Sequence, residues 1–240
     1  MQLPSNLSIK VFLDSASVQE IRDYYQNGRE YISGFTTNPT LMKNSGVTNY
    51  KAFVSDILNE INDLPISFEV FADDLSEMKE QALILSRIAK NVCVKIPVTN
   101  TKGLSTHSLV SELNKEGVLC NVTAIMTYQQ AENILKSLDS EFPIILSVFA
   151  GRIADTGRNP EPLVSEICKL SLQRKNASTL WASTREVLNI FQANSSGCDI
   201  VTVTSPLLKK LRNIGMDLDQ LSLETVQMFY NDAKSAGYSI

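Results

Sequence analysis

"VCVKIPV", residues 92–98, has the composition of a buried strand: Val92, Cys93, Val94, Ile96 and Val98 around a single lysine, Lys95. Lysine is almost never buried without a partner. An amine near the end of such a strand, just before Pro97, asks for a structure that gives it company. Seven other short apolar runs share this look: "IKVFLD", "YISGFTT", "ISFEVFA", "GVLCNVT", "FPIILSVF", "STLWAS" and "DIVTVT". The eight runs begin at residues 9, 31, 66, 92, 117, 142, 178 and 199, which leaves room for one strand and one helix per step.

Helix starts punctuate the same rhythm. "SVQE" (Ser17, Glu20), "TYQQ" (Thr127, Gln130) and "STRE" (Ser183, Glu186) have capping-box spacing. No linker rich in proline, glycine or serine divides the chain, so residues 1–240 are expected to form one domain. Eight strand–helix units in this length predict an α/β fold, a closed (β/α)₈ TIM barrel. A doubly wound sheet would often carry a glycine-rich loop after its first strand, whereas "FLDSAS" has no glycine. Beyond the eighth unit, Leu223, Val226, Tyr230 and Ala233 recur at helical spacing. They predict an extra C-terminal helix over about 217–236, lying on its own barrel or on a neighbouring subunit.

Composition narrows the partners. The net charge is −4 with no basic run, which gives no electrostatic reason to expect nucleic acid or an anionic membrane. No apolar stretch approaches the ~20 residues of a membrane span. The opening "MQLPSNLSIKVFLDSAS" lacks the pattern of a secretory signal. The four cysteines contain no CxxC pair and are expected to be buried, reduced thiols of a cytoplasmic protein. The one histidine, His107, rules out a multi-histidine metal site and reads as a helix-surface residue.

In a (β/α)₈ barrel the active site lies at the C-terminal ends of the strands. Those ends bring Asp14; Thr36, Thr37 and Asn38; Glu69; Lys95; Asn121 and Thr123; Ser147, Phe149 and Arg152; and Ser183 and Arg185. Seven of the eight strands thus point polar groups at one rim. With no histidine or third carboxylate beside Asp14 and Glu69, no metal-ligand cluster is expected. Desolvation favours the neutral amine of a lysine, and a neutral amine attacks a ketone to form a Schiff base. Two carboxylates can move the protons this requires, and two arginines suit a tetrahedral anion. Ser183 fits a helix cap as well as a ligand contact, and Arg185, in a helical first turn, faces either the site or solvent.

These residues carry a resemblance. "GFTTNPTL", "VKIPVT", "GVLCNVTAIMT", "SVFAGRIAD" and "WASTRE", in this order, resemble the transaldolases, and by length the short subfamily that includes the fructose-6-phosphate aldolases. The resemblance implies that Lys95 attacks the C2 carbonyl of a ketose phosphate, most simply fructose 6-phosphate. It implies that Asp14 takes the C4-hydroxyl proton and that Glu69 and Thr123 hold a proton-relaying water. Asn38 and Asn121 would bind the dihydroxyacetone part with Ser147 beside them, Thr36 and Phe149 would also contact the substrate, and Arg152, Ser183 and Arg185 would hold the phosphate.

Fructose-6-phosphate aldolases carry glutamine where Glu69 stands and tyrosine where Phe149 stands, so both residues here are of transaldolase type. The resemblance also implies a homo-oligomer in the pentose phosphate pathway that needs no metal or organic cofactor. The alternatives are an aldolase of the fructose-6-phosphate type, a variant for another anionic sugar, and a non-catalytic sugar-phosphate-binding barrel.

Overall fold

The computed structural model describes residues 7–240; the first six residues of the opening "MQLPSNLSIKVFLDSAS" lie outside the described residues. Eight strands run β1 (Lys10–Asp14), β2 (Gly34–Thr36), β3 (Ile66–Glu69), β4 (Val92–Pro97), β5 (Cys120–Ile125), β6 (Ile144–Val148), β7 (Ala177–Trp181) and β8 (Ile200–Thr204). They pair in sequence order and all in parallel, and β8 closes back on β1 from Lys10↔Ile200 to Asp14↔Thr204. The fold is the expected (β/α)₈ barrel, and closure leaves no strand edge unpaired.

Side chains alternate across a strand, and the two faces carry different chemistry. Outward residues such as Leu13, Val94, Val122, Leu146 and Val201 join the large apolar cluster beneath the helices. Inward, a smaller cluster of Phe12, Cys93, Ile145, Leu180 and Ile200 fills the barrel. Gly34 makes room for it, because a Cβ there would lie 2.6 Å from Phe12 Cζ. Two residues further along, the inward positions become Asp14, Thr36, Lys95, Ser147 and Thr202. The polar layer therefore sits on an apolar floor.

The helices are α1 (Val18–Asn27), α2 (Pro39–Asn44), α3 (Tyr50–Leu58), α4 (Leu75–Ser86), α5 (His107–Lys115), α6 (Tyr128–Ser137), α7 (Ala150–Ala154), α8 (Glu161–Ser171), α9 (Leu188–Ser195), α10 (Ser205–Lys209) and α11 (Leu218–Ser235). Of the three expected capping boxes only Thr127–Gln130 is complete. Ser17 accepts from the Glu20 amide, but the Glu20 carboxylate turns to Ser15 Oγ, 2.8 Å away. The third does not form. Ser183 adopts a left-handed φ of 66°, and α9 begins only at Leu188. Asn189 Oδ1 instead accepts from the amides of Arg185 (2.7 Å) and Glu186 (3.2 Å). The C-terminal helix is α11, and it buries none of its residues.

Candidate active site

At the C-terminal ends of the strands lies a cavity of about 450 Å³. Every strand-end residue singled out in the sequence lines it except Thr37 and Asn121. Lys95 is only 6% exposed. Its Nζ donates to the Thr37 carbonyl at 2.8 Å and pairs with Glu69 Oε2 at 2.9 Å. Thr37 thus acts through its backbone, while its buried hydroxyl donates to the Ser67 carbonyl at 3.1 Å. Register explains the ion pair: Glu69 and Lys95 are direct partners in the β3–β4 ladder, so both project from the same level. The lysine is therefore desolvated and also partnered, with a carboxylate already in proton-transfer range.

Asp14 stands at the end of β1. Burial pushes its carboxyl above the ordinary value; the Lys95 charge and the Thr36 hydroxyl act in the opposite direction, and the Glu69 charge adds to the rise. Thr36 Oγ1 donates to Asp14 Oδ1 at 2.8 Å. Thr36 is thus committed to the carboxylate rather than free for a ligand. Asn38 caps α2 through its Oδ1, which accepts from the Leu41 amide at 2.9 Å, and this leaves its Nδ2 for the cavity.

The β5 strand is irregular between Val122 and Ile125, and Ala124 there has a φ of 62°. A bulge re-aims side chains locally, and here both Thr123 and Ala124 line the cavity. Thr123 Oγ1 is buried and has no protein partner among the described residues. A buried hydroxyl of this kind is costly unless a ligand or water completes it.

Asn121 departs from expectation. It is fully buried behind the cavity wall, where Nδ2 donates to Ser67 Oγ at 3.1 Å and Oδ1 accepts from Ser147 Oγ at 2.6 Å. It orients Ser147, whose remaining lone pairs are left for the cavity. Trp181, the last residue of β7, points the other way and is wholly buried in the outward, helix-facing core.

At the mouth, Arg152 projects from α7 and Arg185 from the segment after β7. Asp155 holds the Arg185 guanidinium through Nε (3.2 Å) and Nη2 (2.5 Å), a fork-shaped grip that keeps Asp155 below the usual carboxylate range. Arg185 lines the cavity while about half of its side chain stays open to solvent. Two guanidiniums against one carboxylate leave a net positive mouth.

Several contributors escaped sequence reading. Thr202 and Thr204 of β8 line the cavity, so all eight strands contribute. Alternation within "DIVTVT" places both in phase with the inward positions, which was the available signal. Tyr50 of α3 donates to the Glu69 carbonyl at 2.9 Å and pins the end of β3. Burial, with the Glu69 charge, pushes its phenol well above the ordinary value, so it stays a donor.

His107 opens α5 with Nδ1 2.9 Å from Ser105 Oγ. Among the described residues no group of histidine, cysteine and carboxylate side chains is arranged to hold a metal. All four cysteines are buried and free, and burial pushes the Cys93 and Cys120 thiols up to about 12.

Comparison with known proteins gives the family. Residues 11–240 match the family described as transaldolase/fructose-6-phosphate aldolase. A probable transaldolase of Caldicellulosiruptor saccharolyticus is 37% identical over 205 residues, covering 85% of this chain and 89% of the relative. One of Bartonella tribocorum is 33% identical over 237 residues, covering 97% and 100%. Among solved structures, the Amycolatopsis orientalis BexX/CysO complex matches with a TM-score of 0.55 at 15% identity, covering 85% of this chain and 84% of that one, a likeness of fold alone.

Proposed function

This chain belongs to the transaldolase/fructose-6-phosphate aldolase family, and from that premise we propose that it is a class I transaldolase acting through a Schiff base on Lys95. It moves a dihydroxyacetone unit from a ketose phosphate, fructose 6-phosphate in the simplest case, to an aldose phosphate such as erythrose 4-phosphate. The observation that carries the reading is the contact of Lys95 Nζ with Glu69 Oε2, inside a cavity that also holds Asp14 and has the two arginines at its mouth.

In this mechanism Lys95 passes a proton to Glu69 across 2.9 Å and its neutral amine attacks C2 of the donor. Glu69, through a water held with Thr123, returns the proton as the carbinolamine loses water. Asp14, as carboxylate, takes the C4-hydroxyl proton; the C3–C4 bond breaks, its electrons enter the enamine, and the aldose phosphate leaves. The raised proton affinity of Asp14 suits it to give that proton back when the enamine carbon attacks the acceptor carbonyl. Hydrolysis of the new imine frees the product and Lys95. Asn38 and Ser147 hold the three-carbon unit, with Asn121 behind Ser147, and Arg152, Ser183 and Arg185 hold the phosphate. The lysine is the electron sink, so the scheme needs no metal or organic cofactor.

Phe149 decides the fate of the enamine after cleavage. A tyrosine hydroxyl at this position would help a water protonate the enamine, whereas phenylalanine has no such donor. The intermediate then waits for an acceptor aldehyde. The test is release of glyceraldehyde 3-phosphate from fructose 6-phosphate, with and without erythrose 4-phosphate. Steady release only with the acceptor is expected. Equal release without it would make the enzyme an aldolase and overturn the transferase reading.

We also propose a cytoplasmic setting, in which four free thiols stay reduced. No helix among the described residues is long and apolar enough to cross a membrane. The assembly proposed is a homo-oligomer, with α11 docked on a second copy. Leu223, Val226, Phe229 and Tyr230 are all exposed on this helix. Most helical stability in proteins comes from packing an apolar face, and aromatic side chains of this kind bury roughly 150–250 Å² each. Deleting residues 217–240 should lower the particle mass by light scattering to that of a smaller assembly, with the barrel's circular dichroism retained. An unchanged number of copies per particle would remove α11 from the interface.

A further inference from the structure

Thr36 Oγ1 lies 2.8 Å from Asp14 Oδ1 and 2.5 Å from Thr202 Oγ1. A hydroxyl has one proton and two lone pairs. When Asp14 is ionised, its oxygen can only accept, so Thr36 must donate to it, and the Thr202 proton must then point at Thr36. The order Thr202→Thr36→Asp14 is dictated by counting protons. When Asp14 is protonated, the order can reverse, with each hydroxyl donating the other way. Thr202 is buried, and it comes from β8, the strand to which sequence reading assigned no functional residue.

From this geometry we infer that Thr202 is a positioning residue for Asp14, acting through Thr36 to stabilise the carboxylate and to let its hydrogen bonds follow the proton on and off. The inference rests on the reading of Asp14 as the group that takes the C4-hydroxyl proton. Hydrogen bonds in a chain polarise one another, and a chain that ends on a charge gains most. The other groups around Asp14 are the Lys95 ammonium from β4, which favours its charge, and the Glu69 carboxylate from β3, which opposes it. From β2 and β8 the polar neighbours on the cavity wall are neutral: Thr36, Thr202 and Thr204. The hydroxyl chain thus acts on the same side as Lys95, against burial and Glu69.

The test is the midpoint of the Asp14 carboxyl titration by ¹³C NMR, together with the acid limb of the pH–kcat profile. Thr202→Val keeps the shape and removes the hydroxyl. Losing support for the charged form must raise the midpoint, by about half a unit to one unit, so that kcat on the acid limb falls roughly threefold to tenfold. Thr202→Ser should return both to the parent values. Thr36→Val should raise the midpoint further, and adding Thr202→Val to it should change nothing more, because the path is already cut.

An unmoved midpoint in Thr202→Val would overturn the inference. So would a Thr202→Ser shift as large as that of Thr202→Val, or additive shifts in the double variant. If Thr202→Val does not fold, Thr202→Ala removes the same hydroxyl with a smaller group and is read identically. Absence of transfer by the parent chain would strike the functional reading alone, since the titration remains measurable without turnover.

Discussion

Lys95→Met is expected to abolish transfer, lowering kcat by about 10⁵-fold or more, while the barrel stays folded. Loss of a covalent nucleophile has effects of this order because no neighbouring group can replace it. Here the neighbours are a carboxylate, a backbone carbonyl and hydroxyls, none of which can form an imine. Methionine matches the lysine stem in length and suits a site that is 6% exposed between Val94 and Ile96. Borohydride reduction in the presence of fructose 6-phosphate should add the mass of the bound sugar unit to the parent chain and nothing to the variant. Measurable turnover by Lys95→Met, or a trapped adduct on it, would end the Schiff-base assignment to this residue.

The same substitution makes a second, independent demand on stability. Lys95 is the main positive charge lowering the Asp14 proton affinity, and Glu69 raises it. Without the ammonium, Asp14 and Glu69 are left as like charges with no counterion between them. The folded-state value of Asp14, already above its unfolded value, rises further. A carboxyl shifted in this direction binds more protons folded than unfolded, so its contribution to stability declines as pH rises through that window. The thermal midpoint of Lys95→Met should therefore fall below the parent by more at pH 8 than at pH 5. An equal deficit at both values would mean that the pair contributes packing and not charge.

What could be read from the sequence divides along physical lines. Strand order and closure followed from apolar runs at regular intervals, because burial on both faces leaves a continuous hydrophobic signature. Lys95, Glu69 and Asp14 were visible because a charge breaking such a run is conspicuous. Thr202 was not, because a threonine within "DIVTVT" satisfies strand propensity as well as any site. Asn121 supports Ser147 from behind, because residue type reports hydrogen-bonding capacity and not which partner takes it up. The Ser183–Glu186 cap failed for a related reason. The spacing was correct, but the backbone at Ser183 turns left-handed, and the capping work passes to Asn189 from the far side of the turn. Local pattern could not anticipate a contact made by α7, the element that presses on this turn.

That contact yields the second large effect. Gly151→Ala should lower stability by about 3 kcal/mol, equivalent to a fall of roughly 6–12 °C in Tm for a chain of this size. Helix propensity alone predicts the opposite sign, since alanine is favoured over glycine by about 1 kcal/mol inside a helix. The decisive term is distance. A Cβ on Gly151 would lie 1.6 Å from the carbonyl oxygen of Ser183 and 2.7 Å from its carbonyl carbon. Both atoms are backbone, so no rotamer change relieves the clash, and α7 must move away from the end of β7. Moving it separates Arg152 from Ser183 and Arg185, the three groups assigned to the phosphate. The KM for fructose 6-phosphate should therefore rise about tenfold, with a smaller change in kcat, because a group that holds the remote phosphate acts mainly on binding. A Gly151→Ala variant as stable as the parent would show that the close approach of α7 to Ser183 is not maintained in solution. A stable variant with unchanged KM would further separate the phosphate site from this corner of the barrel, and Arg152 would then have to act from a different position than the one seen here.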